Sequence, residues 1–181
     1  EFLSDRLKLA GNGVPTTTGW KSIEIANGTG DSPDSISVMG SFNSPVIVTS
    51  HSMTDESSQI ECASVDEIEE GDLAVISDGT FTEIFLVTGI QGNRLRHDVS
   101  PPWNDDNRLD HAYGVGSTVH LVERYTFFVG LDEKGYPNLM VKNQSTGSQI
   151  LAGGIEQFQV RFQLKSGDWT DTIDYVYDIR E

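Results

Sequence analysis

Glu1 to Ala10 (EFLSDRLKLA) is the stretch on which the fold turns, because it is the only part of the chain with helical spacing. Leu3, Leu7 and Ala10 fall on one face at i, i+4 and i+7, with Phe2 beside them. Asp5, Arg6 and Lys8 point elsewhere. Gly11-Asn12-Gly13 ends the helix, with Gly11 free to take the left-handed conformation just past its C-terminus. A helix of about three turns is marginal alone in water. It is therefore expected either to pack on a sheet or to be the stump of a longer helix. A chain that opens mid-helix at Glu1, without an initiator Met, reads as a piece of a longer protein.

Outward from this stub, almost everything reads as short strands and turns. Trp20 to Ala26 alternates, with Ile23 and Ile25 on one face, and Asn27 to Ser35 (NGTGDSPDS) is turn chemistry throughout. Ile36 to Met39 and Pro45 to Thr49 are β-branched runs, the second dense enough to predict burial on both faces. Residues 72–99 predict a three-stranded meander. Pro101 to Gly116 is a long loop. Thr118 to Gly130 is the longest alternating segment, with Asn138 to Lys142 pairing back on it. Gln149 to Leu164 and Tyr175 to Ile179 complete the strands.

Composition bounds the function. The 181 residues fit one domain, 1–181, divided into a helix end (1–11) and a β-rich globular part (20–181). A net charge of −16 argues against nucleic-acid backbones and anionic membrane surfaces as partners. The single cysteine, Cys62, has no internal partner, and cysteine-rich metal frameworks are excluded. No run approaches the ~18 consecutive apolar residues of a membrane span, and no signal peptide is visible.

Catalytic signatures are weak. Gly30-Asp31-Ser32 resembles the nucleophile block of some esterases, but no histidine follows His120 to complete a triad. His51, His97, His111 and His120 lack metal-ligand spacing. Asn104, Asp105, Asp106, Asn107 and Asp110 form the best oxygen-rich cluster for a hard cation such as calcium, without the spacing of a helix–loop–helix calcium site. Asp168, Asp171 and Asp174 are a weaker one. A solvated acidic loop is the default for the first and a polar turn for the second. Trp20, Trp103 and Trp169 suit either packing or a carbohydrate surface. No catalytic residue, cofactor site or metal site is assigned.

Four blocks carry a resemblance to a known family. They are Phe2 to Gly11 (FLSDRLKLAG); Glu70 to Gly79 (EGDLAVISDG) with Glu83 to Thr88 (EIFLVT); Thr118 to Leu139; and Leu151 to Phe162 (LAGGIEQFQVRF). In this order they resemble minor pilins of the PilW type and type II secretion pseudopilins of the GspJ type. Many PilW-like proteins carry cysteines in the second block, where this chain has Asp78-Gly79.

The resemblance implies a pilin-like α+β fold, in which the end of a long N-terminal helix packs on antiparallel sheet through Phe2, Leu3 and Leu7. It leaves Asp5, Arg6 and Lys8 for an assembly interface. It further implies a non-enzymatic subunit, anchored in the inner membrane by a helix absent from this chain and facing the periplasm. After assembly the subunit would stand in a pilus or pseudopilus filament at the cell surface. Its partners would be other minor pilins or pseudopilins and the filament assembly machinery. The alternative is a secreted or surface-exposed β-rich adhesion or carbohydrate-recognition module working through Trp103 and the Asn104–Asp110 loop. If the helix is docked, Leu7→Asp puts an unpaired charge into the contact and lowers the thermal midpoint. An unchanged melting curve would show that the helix is not docked.

Overall fold

The structure is a computed structural model that describes residues 1–14, 20–42, 46–143, 146–164 and 166–171. In chain order the elements are α1 (Phe2–Lys8), β1 (Ile23–Ala26), β2 (Ser35–Gly40), β3 (Ile47–Val48), β4 (Ile60–Glu61), β5 (Leu73–Ser77) and β6 (Thr82–Leu86). Then follow β7 (Gly89–Gln91), β8 (Arg94–Arg96), β9 (Thr118–Leu131), β10 (Pro137–Asn143), β11 (Gly147–Gly153), β12 (Phe162–Gln163) and β13 (Trp169–Thr170). The segment Tyr175 to Ile179, read as a strand from the sequence, lies outside the described residues.

The pilin-like α+β expectation is not met. Among the described residues 41% are strand and the one helix has seven residues, so the fold class is mostly β, with no long N-terminal helix packed on the sheets. Two turns of helix bury too little apolar surface to form a layer of their own. Among the described residues no helix is long and apolar enough to cross a membrane.

The chain forms two compact units. One comprises residues 1–11, 21–40 and 124–181; the other comprises 12–20 and 41–123. The strand β9 runs from the second into the first.

In the first unit the strands follow the order β1-β2-β9-β10-β11, with antiparallel pairings such as Ile25↔Ile36 and Val141↔Phe127. Ile23, Ile36, Val38, Met39 and Phe127 are buried in it. The helix α1 lies against β2. The helix ends at Lys8 with Leu9 as its C-cap, at φ −104°, so the expected left-handed glycine cap is not what stops it. Gly11, at φ 81°, turns the chain two residues further on, and its N–H donates to the Met39 carbonyl at 2.9 Å. Asp34 is buried, and its carboxylate accepts from the Gly28 and Val160 N–H groups at 2.9 and 2.8 Å. That single acid ties the turn before β2 to the segment after β11.

In the second unit β5 pairs with β6 on one edge and with β9 on the other, and β3 adds to β9. A separate three-stranded sheet has the order β4-β8-β7. The expected meander is therefore two hairpins in two sheets. The break falls at Val87-Thr88, whose N–H groups donate to Asp72 and Arg96 rather than along one ladder. Burial of the Pro45–Thr49 run on both faces also fails in part: Pro45 lies outside the described residues, and Val46 and Val48 are exposed beside the short strand β3, which pairs with β9. The core gathers Ile60, Cys62, Ile76, Phe85, Leu95 and Tyr113.

Cys62 is 1% exposed, and burial pushes its thiol up to about 11. A thiol so protonated and covered is a packing residue, since only the thiolate is nucleophilic. Native protein at pH 8 is therefore expected to resist a disulfide-exchange reagent that reacts fully in urea. Prompt stoichiometric reaction of the native form would show that this core opens.

Candidate functional site

A concave feature among the described residues lies within the second unit. It is a cleft of about 840 Å³ between β6, the turn that precedes it, Trp20, and the loop 99–113. This is within the volume range of small-molecule sites.

The turn before β6 is built by Asp78, whose Oδ1 accepts from the Thr80 and Phe81 N–H groups, each at 2.8 Å. Those N–H groups, Phe81 first, hold the Asp78 carboxyl below its usual 3.8, and His111 adds to the effect. Asp78 Oδ2 lies 3.2 Å from His111 Nε2. Phe81, exposed at the tip, stacks on the His111 ring at 4.3 Å.

The loop 99–113 has no regular structure, and buried polar groups fix it. Asn104 is buried, and its side chain acts as a short strand partner for the free edge of β6. Its Oδ1 accepts from Leu86 N at 2.8 Å, and its Nδ2 donates to the Leu86 and Asp98 carbonyls at 2.9 Å. Further on, the Glu83 carboxylate accepts from Asp110 N (2.6 Å), His111 N (3.1 Å) and Tyr113 Oη (2.8 Å). Burial, and then this bond to Glu83, drive the Tyr113 hydroxyl well above the usual phenol range, so it stays a donor. Between these anchors Arg108 pairs with Glu56 at 2.7 Å.

These anchors leave an aromatic and acidic surface. The Trp20 and Trp103 rings lie 4.2 Å apart at 32°. The carboxylates of Asp105, Asp106 and Asp110 line the same cleft. The calcium reading of this loop finds no cage, since Asn104 faces inward and is fully bonded. Among the described residues no three His, Cys, Asp or Glu side chains converge on a metal position.

The other sequence candidates are dispersed. Phe2 packs edge-on against Tyr125 at 5.5 Å and tilted against Phe127 at 6.1 Å, while Leu3 and Leu7 are half-buried. Asp5 and Lys8 are exposed and 3.5 Å from each other. Arg6 is turned inward, its guanidinium 4.7 Å from the Phe2 ring centre and 4.8 Å from that of Tyr125. Ser32 sits in a turn of the first unit, whereas His51, His97, His111 and His120 belong to the second. His97 is buried, 3.0 Å from the Ser58 carbonyl, and His120 lies 3.0 Å from the Gly13 carbonyl. Trp169 is exposed on β13 and makes no part of the cleft. The pairing of Trp20 with Trp103 was not readable from the sequence, which placed the two in a strand and a distant loop.

Comparison with known proteins adds no assignment: no family model, no curated protein and no solved structure matches the chain.

Glu83→Gln would turn an amide donor toward three donors. It is expected to destabilise the protein by about 1–3 kcal/mol in urea unfolding. A shift below ~0.5 kcal/mol would show that the loop does not depend on this carboxylate. For Asp78 the folded pKa lies below the unfolded one, so its stabilisation is present above pH 3.8 and is lost as pH falls through the lowered folded value. Asp78→Asn should therefore flatten the acid limb of the stability profile below about pH 4. A parallel acid limb in wild type and variant would contradict this.

Proposed function

We propose that this chain is a non-enzymatic subunit of a type IV pilus or a related secretion pseudopilus, acting in assembly or in an initiation or tip complex. In this reading the native protein is held in the inner membrane by a helix outside this chain and faces the periplasm before assembly.

The observation that carries it is the seat of α1. The Phe2 ring, 37% exposed, packs against Tyr125 and Phe127 with the Arg6 guanidinium 4.7 Å from its centre, which ties the short helix to the sheet. Asp5 and Lys8 stay in solvent, where a neighbouring subunit would meet them. The order of the four family-like blocks supports the same reading. So does β11: it pairs only with β10 among the described residues, carries no charged side chain, and is mostly exposed. Such an edge is a ready template for a partner strand.

A second reading, a binding module, is favoured by one observation: the paired indoles in a cleft braced by Asn104 and Glu83.

Two measurements test the assembly role. Native protein extracted from source membranes is expected to begin with an N-methylated residue opening an apolar helix that runs into Glu1. Photo-crosslinkers placed at Asp5 and at Lys8 in cells are expected to give adducts with filament subunits. A native protein recovered without that helix, and without such adducts, would end the proposal.

A further inference from the structure

We propose that the Trp20–Trp103 cleft binds a basic peptide segment, seating lysine or arginine side chains between the indoles and the carboxylates of Asp105 and Asp110. This rests on the second reading above, and it names the class of ligand that the cleft accepts.

The charge inventory decides the sign. Five carboxylates line the cleft, from Glu56, Glu83, Asp105, Asp106 and Asp110. Three are already occupied: Glu83 by its three donors, Glu56 by Arg108, and Asp106 by the Arg108 N–H at 2.7 Å. Among the described residues the side chains of Asp105 and Asp110 make no hydrogen bond or ion pair. Arg108, a cation in the lining, is held by Glu56, and the buried His97 faces the Ser58 carbonyl. The site is thus negative inside a chain of net charge −16, so an anionic ligand is repelled and a cationic one is drawn in.

The indoles supply the second element. Tryptophan is the best aromatic partner for an ammonium or guanidinium group, and here two lie 4.2 Å apart beside unpaired carboxylates. A neutral sugar would use the ring faces but would leave Asp105 and Asp110 uncompensated. A volume of about 840 Å³ accommodates several residues rather than one small ion.

The test is calorimetric titration of the intact chain with tetralysine amide and, separately, with a neutral tetrasaccharide of glucose. Tetralysine is expected to bind, with affinity falling as sodium chloride rises from 20 to ~200 mM, as for exposed charges. Trp103→Ala and the double variant Asp105→Asn/Asp110→Asn should each weaken it by about tenfold. Both variants should melt as wild type does. Should Trp103→Ala perturb folding, Trp103→Phe is the substitute, with a smaller loss. Binding of the tetrasaccharide alone would overturn the cationic assignment and leave the cleft as a binding site. Binding of neither would overturn both readings. Tetralysine binding that is indifferent to all the variants would be adsorption to an acidic chain, and would overturn the proposal as well.

Discussion

The fourteen residues of β9 set the constraint on which both units depend. An extended strand of this length must satisfy its N–H and C=O groups along both edges, because an unpaired buried peptide group is costly. Its first residues, from Thr118, pair with β5 on one side and β3 on the other; its later ones pair with β10. The side chains must also tolerate cover on both faces. Val119 and Phe127 are buried at odd positions and Val122 at an even one, so the strand is not simply apolar on one side and wet on the other. Aromatic and β-branched residues along it, Val119, Val122, Tyr125, Phe127, Phe128 and Val129, fit a pleated surface covered in this way.

Around that strand, irregular chain is fixed by a few polar groups rather than by further ladder. Asp34 does this in one unit, and Asn104 and Glu83 do it in the other. Each of them answers backbone N–H groups that no strand reaches. The strength of the device lies in its asymmetry: a satisfied buried bond adds little net stability, whereas a broken one leaves a desolvated group unpaired. Loops held in this way present side chains in defined positions, which is what a recognition surface on a loop requires.

Much of the β architecture was legible because β-branched and alternating runs have little other use. β5, β6, β9 and β10 all fall where the pattern puts strands. The end of the helix was legible only in part: Gly11 does take a positive φ, yet the helix already stops at Lys8, with Leu9 rather than a glycine as its cap. What stayed hidden depends on partners distant in sequence. Whether β7 follows β6 in one sheet or leaves for another is decided by where the N–H groups of Val87 and Thr88 find acceptors, and no local composition encodes that. Asn104 was equally credible as a cation ligand, because an amide oxygen suits a metal and a backbone N–H alike. Asp34 sat in a run that reads as a turn, and nothing in NGTGDSPDS marks one of its two aspartates as the buried one. The α+β expectation failed for a related reason: helical spacing over ten residues does not fix the length of a helix.

The assembly and binding readings draw on different residues. α1 and β11 belong to one unit and the cleft to the other, so neither role depends on the other's side chains. Electrostatics separates them further. Copies of a chain at −16 repel one another, so contacts in a filament must run through surfaces that carry little net charge. The exposed pair Asp5 and Lys8 is balanced, and β11 carries no charge. The cleft is the opposite case, negative and aromatic, unsuited to a second copy of the same acidic chain and suited to a basic one. Self-repulsion thus restricts where subunits can meet, and the same excess of acid makes the cleft selective for a cation.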